Sequence, residues 1–186
     1  MTTSLVNNKL PKDILFEAGS SLSLSIGQYF EGFLKKDAKS LNIITCSVFD
    51  AIRIKEEIAW FFPKLKVNLL PDWETLPYDM LSPHQDIISE RLSLLQQLPH
   101  LTKGIIVTSV NTVMQRLAPT SFLAGFSFCL KIGGTLDLEN IREKLTEAGY
   151  RRIEQVMEHG EFCIRGALLD VFPMGANEPY RIELFD

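Results

Sequence analysis

The chain has 186 residues, 46% of them hydrophobic and 23% charged, with a formal net charge of −4. This is the composition of a globular protein of one large or two small domains; it excludes a disordered chain, and no apolar run reaches the length of a membrane span. Lys and Arg number 12 against 12 Asp and Glu over residues 1–125, and 7 against 11 over 126–186, so neither part is a basic body suited to wrapping a phosphate backbone.

In chain order, EAGSSLSLSIGQYF (17–30) reads as a Ser-capped amphipathic helix. The β-branched run Leu41–Val48 predicts a buried strand, with Cys46 as a small buried hydrophobe inside it. Ser47 and Asp50 form a capping pair for the next helix, whose apolar face is Ile54, Ile58, Phe61 and Phe62 and which Pro63 stops. Lys66–Leu70 predicts a second strand. Ser82, Pro83 and Gln85 predict a helix start: a cap, a proline at the first helical position and a Gln three residues on from the cap. Its expected buried stripe is Ile88, Leu92, Leu95 and Leu98. Gly104–Val110 predicts a third strand, with Asn111 capping a helix over Thr112–Leu117. This alternation predicts, over 1–120, an α/β domain whose parallel sheet is covered by helices on both sides.

Around Pro119–Gly125 the pattern changes. Phe126–Ile132 predicts a strand, Gly133-Gly134 a turn, and Asp137 the cap of a helix with Leu138, Ile141, Leu145 and Ala148 inward and Gly149 as its stop. Short β segments follow at Phe162–Arg165, Ala167–Phe172 and Tyr180–Asp186, the last two joined by PMGANEP. Residues 126–186 therefore read as a small α+β domain. The last residues, IELFD, are strand-like with no turn or cap, which predicts that the natural protein continues.

Motifs for chemistry are few. Cys46, Cys129 and Cys163 are odd in number and form no CxxC, which argues against a zinc or disulfide framework and fits a reduced, cytoplasmic protein. A phosphate loop needs glycines whose backbone N–H groups cradle phosphates and a lysine to reach them. The segment 17–30 carries Gly19 and Gly27 but no GK[ST]. His84, His100 and His159 flank helices or turns, no GxSxG elbow occurs, and no catalytic, cofactor-binding or metal-ligating residue is assigned. In DWETLPYD (72–79), Trp73, Tyr78 and the acids could form a base-stacking shelf or a carboxylate pair. The simpler reading is that Trp73, Leu76 and Tyr78 anchor a long loop.

Several strings form a recognisable series: DWETLPYDMLSPHQDIISERL, SVNTVMQRLAP, GYRRIEQVMEHGEF and RGALLDVFPMGANEPYRIELFD. In order and spacing they resemble the amino-terminal, UvrB-like region of bacterial transcription-repair coupling factors. The resemblance covers roughly residues 66–186, while 1–65 agree only in pattern. It implies a degenerate helicase-like (RecA-type) parallel sheet domain over 1–120 and a small α+β domain over 126–186 that docks the damage sensor UvrA. It also implies that ATP hydrolysis, DNA translocation and RNA polymerase binding belong to later domains, so that this chain needs no cofactor and is not itself an enzyme. Two departures from UvrB are visible: the lysine phosphate loop is missing, and in place of a tyrosine-rich hairpin only Tyr78 lies between Leu70 and Gly104. A rival reading is half of a helicase or ATPase nucleotide site completed by a missing domain, which the lack of GK[ST] disfavours.

Strand alternation addresses the docking face. In Tyr180–Asp186 one side carries Tyr180, Ile182 and Leu184, natural core residues, and the other carries Arg181, Glu183 and Phe185. In Phe162–Arg165, Phe162 and Ile164 point inward and Arg165 outward. Arginine and large aromatics are enriched at interface hot spots. Alternation alone leaves open an ordinary surface with a salt bridge such as Arg181 to Glu178. The resemblance implies UvrA contacts at Arg165, Arg181 and Phe185.

Overall fold

The computed structural model describes residues 19–34, 40–76, 79–119, 123 and 130–185. The chain divides into two compact units, Met1–Leu69 with Thr102–Val110 and Leu70–Leu101 with Asn111–Asp186.

The first unit is a parallel α/β layer. It contains helix α1 (Ser20–Leu34), strand β1 (Ser40–Thr45), helix α2 (Val48–Phe61) and strands β2 (Val67–Leu69) and β3 (Gly104–Ser109). All pairings are parallel, in the order β1-β3-β2. Odd-numbered strand positions face the helices: Leu41, Ile43, Val67, Leu69, Ile105 and Val107 pack with Phe30, Ala51, Ile54 and Ile58. Fully burying a side chain of this kind contributes about 1.5–3 kcal/mol. Ser47 caps α2, its Oγ accepting the Asp50 N–H at 3.1 Å and donating to the Asp50 carboxylate at 2.7 Å. The Phe62 N–H donates to the Ile58 carbonyl at the other end, and Pro63 cannot continue the helix. Glu57 joins the helices by accepting from Ser20 Oγ at 2.9 Å and Ser23 Oγ at 2.6 Å.

Even-numbered strand positions face away from this core, and Ile44 is 57% exposed. Two expectations change accordingly. β1 is an edge strand with one buried face rather than a strand buried on both, and Cys46, just past its end, is exposed. Within this unit the described helices pack on a single face of the sheet.

The second unit holds helix α3 (Gln85–Gln97), a 3-10 turn at Leu98–His100, helix α4 (Val110–Val113, its first residue in the other unit), helix α5 (Leu138–Glu147) and strands β4 (Arg151–Arg152), β5 (Glu161–Arg165), β6 (Leu168–Phe172) and β7 (Tyr180–Glu183). The sheet order is β4-β5-β6-β7, with β4 parallel to β5 and the other pairs antiparallel. Asp137 caps α5 by accepting the N–H groups of Glu139 and Asn140. Gly149, at φ +86°, ends it, and Tyr150 N–H returns to the Leu145 carbonyl. Gly166, at φ +57°, supplies the left-handed residue of the two-residue β5–β6 turn. Ile141, Leu145, Phe162, Leu169 and Val171 form the core.

Neither sheet crosses residue 122, and Leu70–Leu101 groups with 111–186. The reason lies on α3. Its buried side chains are Ser89, Arg91, Leu94 and Leu95, so of the expected stripe only Leu95 is among the buried ones. Ser89 Oγ accepts the Gly175 N–H at 2.7 Å, and a Cβ on Gly175 would lie 3.2 Å from Ser93 Cβ. Small serines thus let the loop after β6 approach the helix backbone closely. The helix start also moves: His84, not Ser82, is the cap, its Nδ1 accepting the Asp86 N–H. Asn111 lies inside α4 rather than capping a longer helix. Of the strand expected at Phe126–Ile132, residues 126–129 lie outside the described residues, and 130–132 are not in a strand.

Candidate functional site

The outer face of the second sheet follows from its register. Asp170 pairs across with Cys163 on β5 and with Arg181 on β7, and Arg165 pairs with Leu168. Residues that pair across share a face, so Arg165, Asp170, Arg181 and Glu183 lie together, opposite the core side that carries Phe162, Leu169 and Ile182. Ile182 packs on the core as expected, whereas Tyr180 is 56% exposed, because it sits at the start of an edge strand.

Asp170 is the centre of this face. Arg181 meets it side-on, Nε to Oδ1 at 2.7 Å and Nη2 to Oδ2 at 3.0 Å, and Arg165 Nη2 reaches Oδ2 at 2.8 Å. The carboxylate is 13% exposed, while Arg165 and Arg181 are 59% and 56% exposed. Hydrogen bonds from Arg181, then those from Arg165, outweigh desolvation and lower the Asp170 pKa to about 2. The same pairing raises the Arg181 pKa. Phe185 lies two residues beyond β7, where the Leu184 N–H still pairs with the Ala167 carbonyl, and its side chain is 87% exposed.

A loop borders the charged cluster. Glu161, almost fully buried, accepts the N–H groups of Met157 and Glu158 at 2.9 Å each and pairs with Arg151 at 3.1 Å. Burial pushes its carboxyl up, but those N–H groups and Arg151 together pull it below its usual range. Glu154, Gln155 and Val156 line an open concavity together with Arg165, Asp170 and Arg181.

All three residues implied as contacts are therefore exposed, and two of them share a carboxylate that the sequence reading did not single out. The partner expected for Arg181, Glu178, is replaced by Asp170. A signal for part of it was present: a two-residue turn at Gly166-Ala167 sets the register that puts Asp170 diagonal to Arg165.

Elsewhere the polar groups that raised chemical questions are structural. His159 stacks on Phe172, with Nδ1 at 2.8 Å from Asp86 Oδ1 and Nε2 at 2.8 Å from the Ala176 carbonyl. Arg91 is 1% exposed, lies 4.1 Å over the Trp73 ring and donates to the Pro71 carbonyl. Burial lowers its pKa, against the pull of Asp72, whose carboxylate accepts from Thr112 Oγ1 at 2.7 Å. Trp73 therefore anchors its loop under a guanidinium; Leu76 is 76% exposed and anchors nothing, and Tyr78 lies outside the described residues. Among the described residues no cluster of three or more His, Cys, Asp or Glu could hold a metal, and no helix is long and apolar enough to cross a membrane.

Comparison with known proteins bears on this face directly. The family model of the UvrB interaction domain matches residues 128–186, the stretch that contains α5 and the whole second sheet. The chain is 49% identical over 152 residues to the transcription-repair-coupling factor of Escherichia coli (strain K12), covering 82% of this chain and 13% of that protein. It is 46% identical over 144 residues to that of Haemophilus influenzae, covering 77% and 12%, and 32% identical over 152 residues to that of Mycobacterium tuberculosis, covering 78% and 12%. The chain thus spans about an eighth of the length of these relatives.

Proposed function

The chain belongs to the amino-terminal, UvrB-like region of the transcription-repair-coupling-factor family, and from that premise we propose that it is a non-catalytic module that docks UvrA during transcription-coupled repair. The contact residues are Arg165, Arg181 and Phe185. The observation that carries this reading is that two half-exposed guanidiniums share one sheet face and an 87% exposed phenylalanine lies two residues past the end of β7. Guanidiniums offer forked donors to carboxylates and carbonyls, and an exposed aromatic gains by burial in an apolar pocket. The complementary surface is therefore acidic beside apolar.

In this proposal 126–186 is the docking domain and 1–120 a helicase-like scaffold without a phosphate loop. DNA translocation, ATP hydrolysis and RNA polymerase contact belong to parts of the coupling factor outside this chain, and the protein acts in the cytoplasm.

The test is titration of purified UvrA with the chain, paired with thermal melting. Arg181→Ala and Phe185→Ala should each cost on the order of 2 kcal/mol of binding and leave folding nearly unchanged. Leu169→Ala, at a position 1% exposed, should instead lose roughly 2–5 kcal/mol of stability. Wild-type affinity in both surface variants would refute the docking assignment.

A further inference from the structure

The two arginines are held together by a residue that need not touch the partner at all. We propose that Asp170 is a positioning residue of the docking face, fixing the guanidiniums of Arg165 and Arg181 as one preorganised receptor for a carboxylate of the partner. This rests on the docking reading above and adds how that face is built.

The geometry supports it in three ways. Asp170 uses both oxygens on the arginines, yet each guanidinium keeps donors to spare: Arg181 retains Nη1, and Arg165 retains Nε and Nη1, with no partner for these among the described residues. Within the clamp itself, one carboxylate against two guanidiniums relieves their mutual repulsion and leaves one positive charge, which Glu183 on the same face and Glu154 in the concavity moderate. Asp170 is itself 13% exposed and sits on the middle strand β6, flanked by β5 and β7, so it is locked by the sheet and not by the arginines alone. Long exposed arginines otherwise lose rotamer freedom on binding, a cost that prior ordering removes.

Glu154, which lines the same concavity, narrows the choice of partner. Its carboxylate, with that of Glu183, disfavours an extended row of phosphates such as a nucleic acid backbone relative to a single acidic side chain that meets the arginines.

The experiment measures UvrA affinity of the 186-residue chain for Asp170→Asn alone, for Arg165→Ala/Arg181→Ala, and for the triple variant, with each affinity corrected for the folded fraction from melting. Asp170→Asn keeps the shape and removes the charge. It should weaken binding about tenfold, within the range expected for ordering two such side chains. In the background lacking both arginines the same change should have no further effect, because nothing remains to be positioned. A merely structural role would instead produce the same loss in both backgrounds, and that result overturns the proposal. Unchanged or tighter binding by Asp170→Asn, with the arginine variant weakened, also overturns it while leaving the docking reading intact. If the arginine variant binds as wild type, the docking reading fails and this inference with it.

Discussion

Asp170 also makes a stability prediction, because its pKa moves on folding. It is lowered from 3.8 to about 2, chiefly by Arg181, so the folded state holds this carboxylate ionised more firmly than the unfolded chain does. A depressed folded-state pKa gives stability that is present in full above about pH 4 and disappears as pH falls towards 2. Both arginines are more than half exposed, so solvent screening reduces the gain to about 1–2 kcal/mol. Other carboxylates, Glu57 and Glu161 among them, are lowered as well, and a melt of the wild-type chain alone would sum them. The measurement is therefore a difference: urea unfolding of wild type and Asp170→Asn at pH 7, 4 and 2.5. The stability gap should narrow towards the acid end, and a gap constant with pH would show that the ion pair adds nothing to folding.

Helices show how a single residue type is put to different use by packing. Gly27 lies within α1 and is one of the two glycines of 17–30 on which a phosphate loop would depend. In the fold its missing side chain makes room for the Phe62 ring, into which an added Cβ would run. Alanine there would gain about 1 kcal/mol of helix propensity but must displace a ring packed on the first core. Gly27→Ala should therefore destabilise by roughly 1–2 kcal/mol, read as a lower melting temperature, whereas Gly32→Ala, with open space around its Cβ, should stabilise. Reversal of that order would place Phe62 elsewhere. On α3 the same logic runs through Ser89 and Ser93, where small side chains admit the Gly175 backbone.

For the whole chain, the absence of nucleotide chemistry is a prediction with its own grounds. The segment EAGSSLSLSIGQYF has no lysine, α1 begins at Ser20, and Gly27 sits in mid-helix instead of in a loop that could bare its N–H to a phosphate. Calorimetric titration with ATP and Mg²⁺ should give no saturating heat, and phosphate release should match buffer. A micromolar dissociation constant would revive the half-site reading.

Local signals in the sequence determined most of the elements and the polarity of their faces. Ser47 with Asp50, and Asp137 with Gly149, act within a few residues of chain, and the alternation along 180–185 turned Arg181 and Phe185 outward before any partner strand was known. The family strings likewise implied the contact residues that the docking proposal uses. Tertiary structure decided what those faces meet. Asp170 reaches Arg181 across the β6–β7 register, Arg91 covers Trp73 from 18 positions away, and Ser89 receives Gly175 from 86 positions away. It also left β1 bare on one face and moved a helix cap from Ser82 to His84. Periodicity tells which side of an element is apolar, since that depends only on its own repeat. Which side chain stands opposite depends on register and on close approach of distant backbone, and no local repeat encodes that.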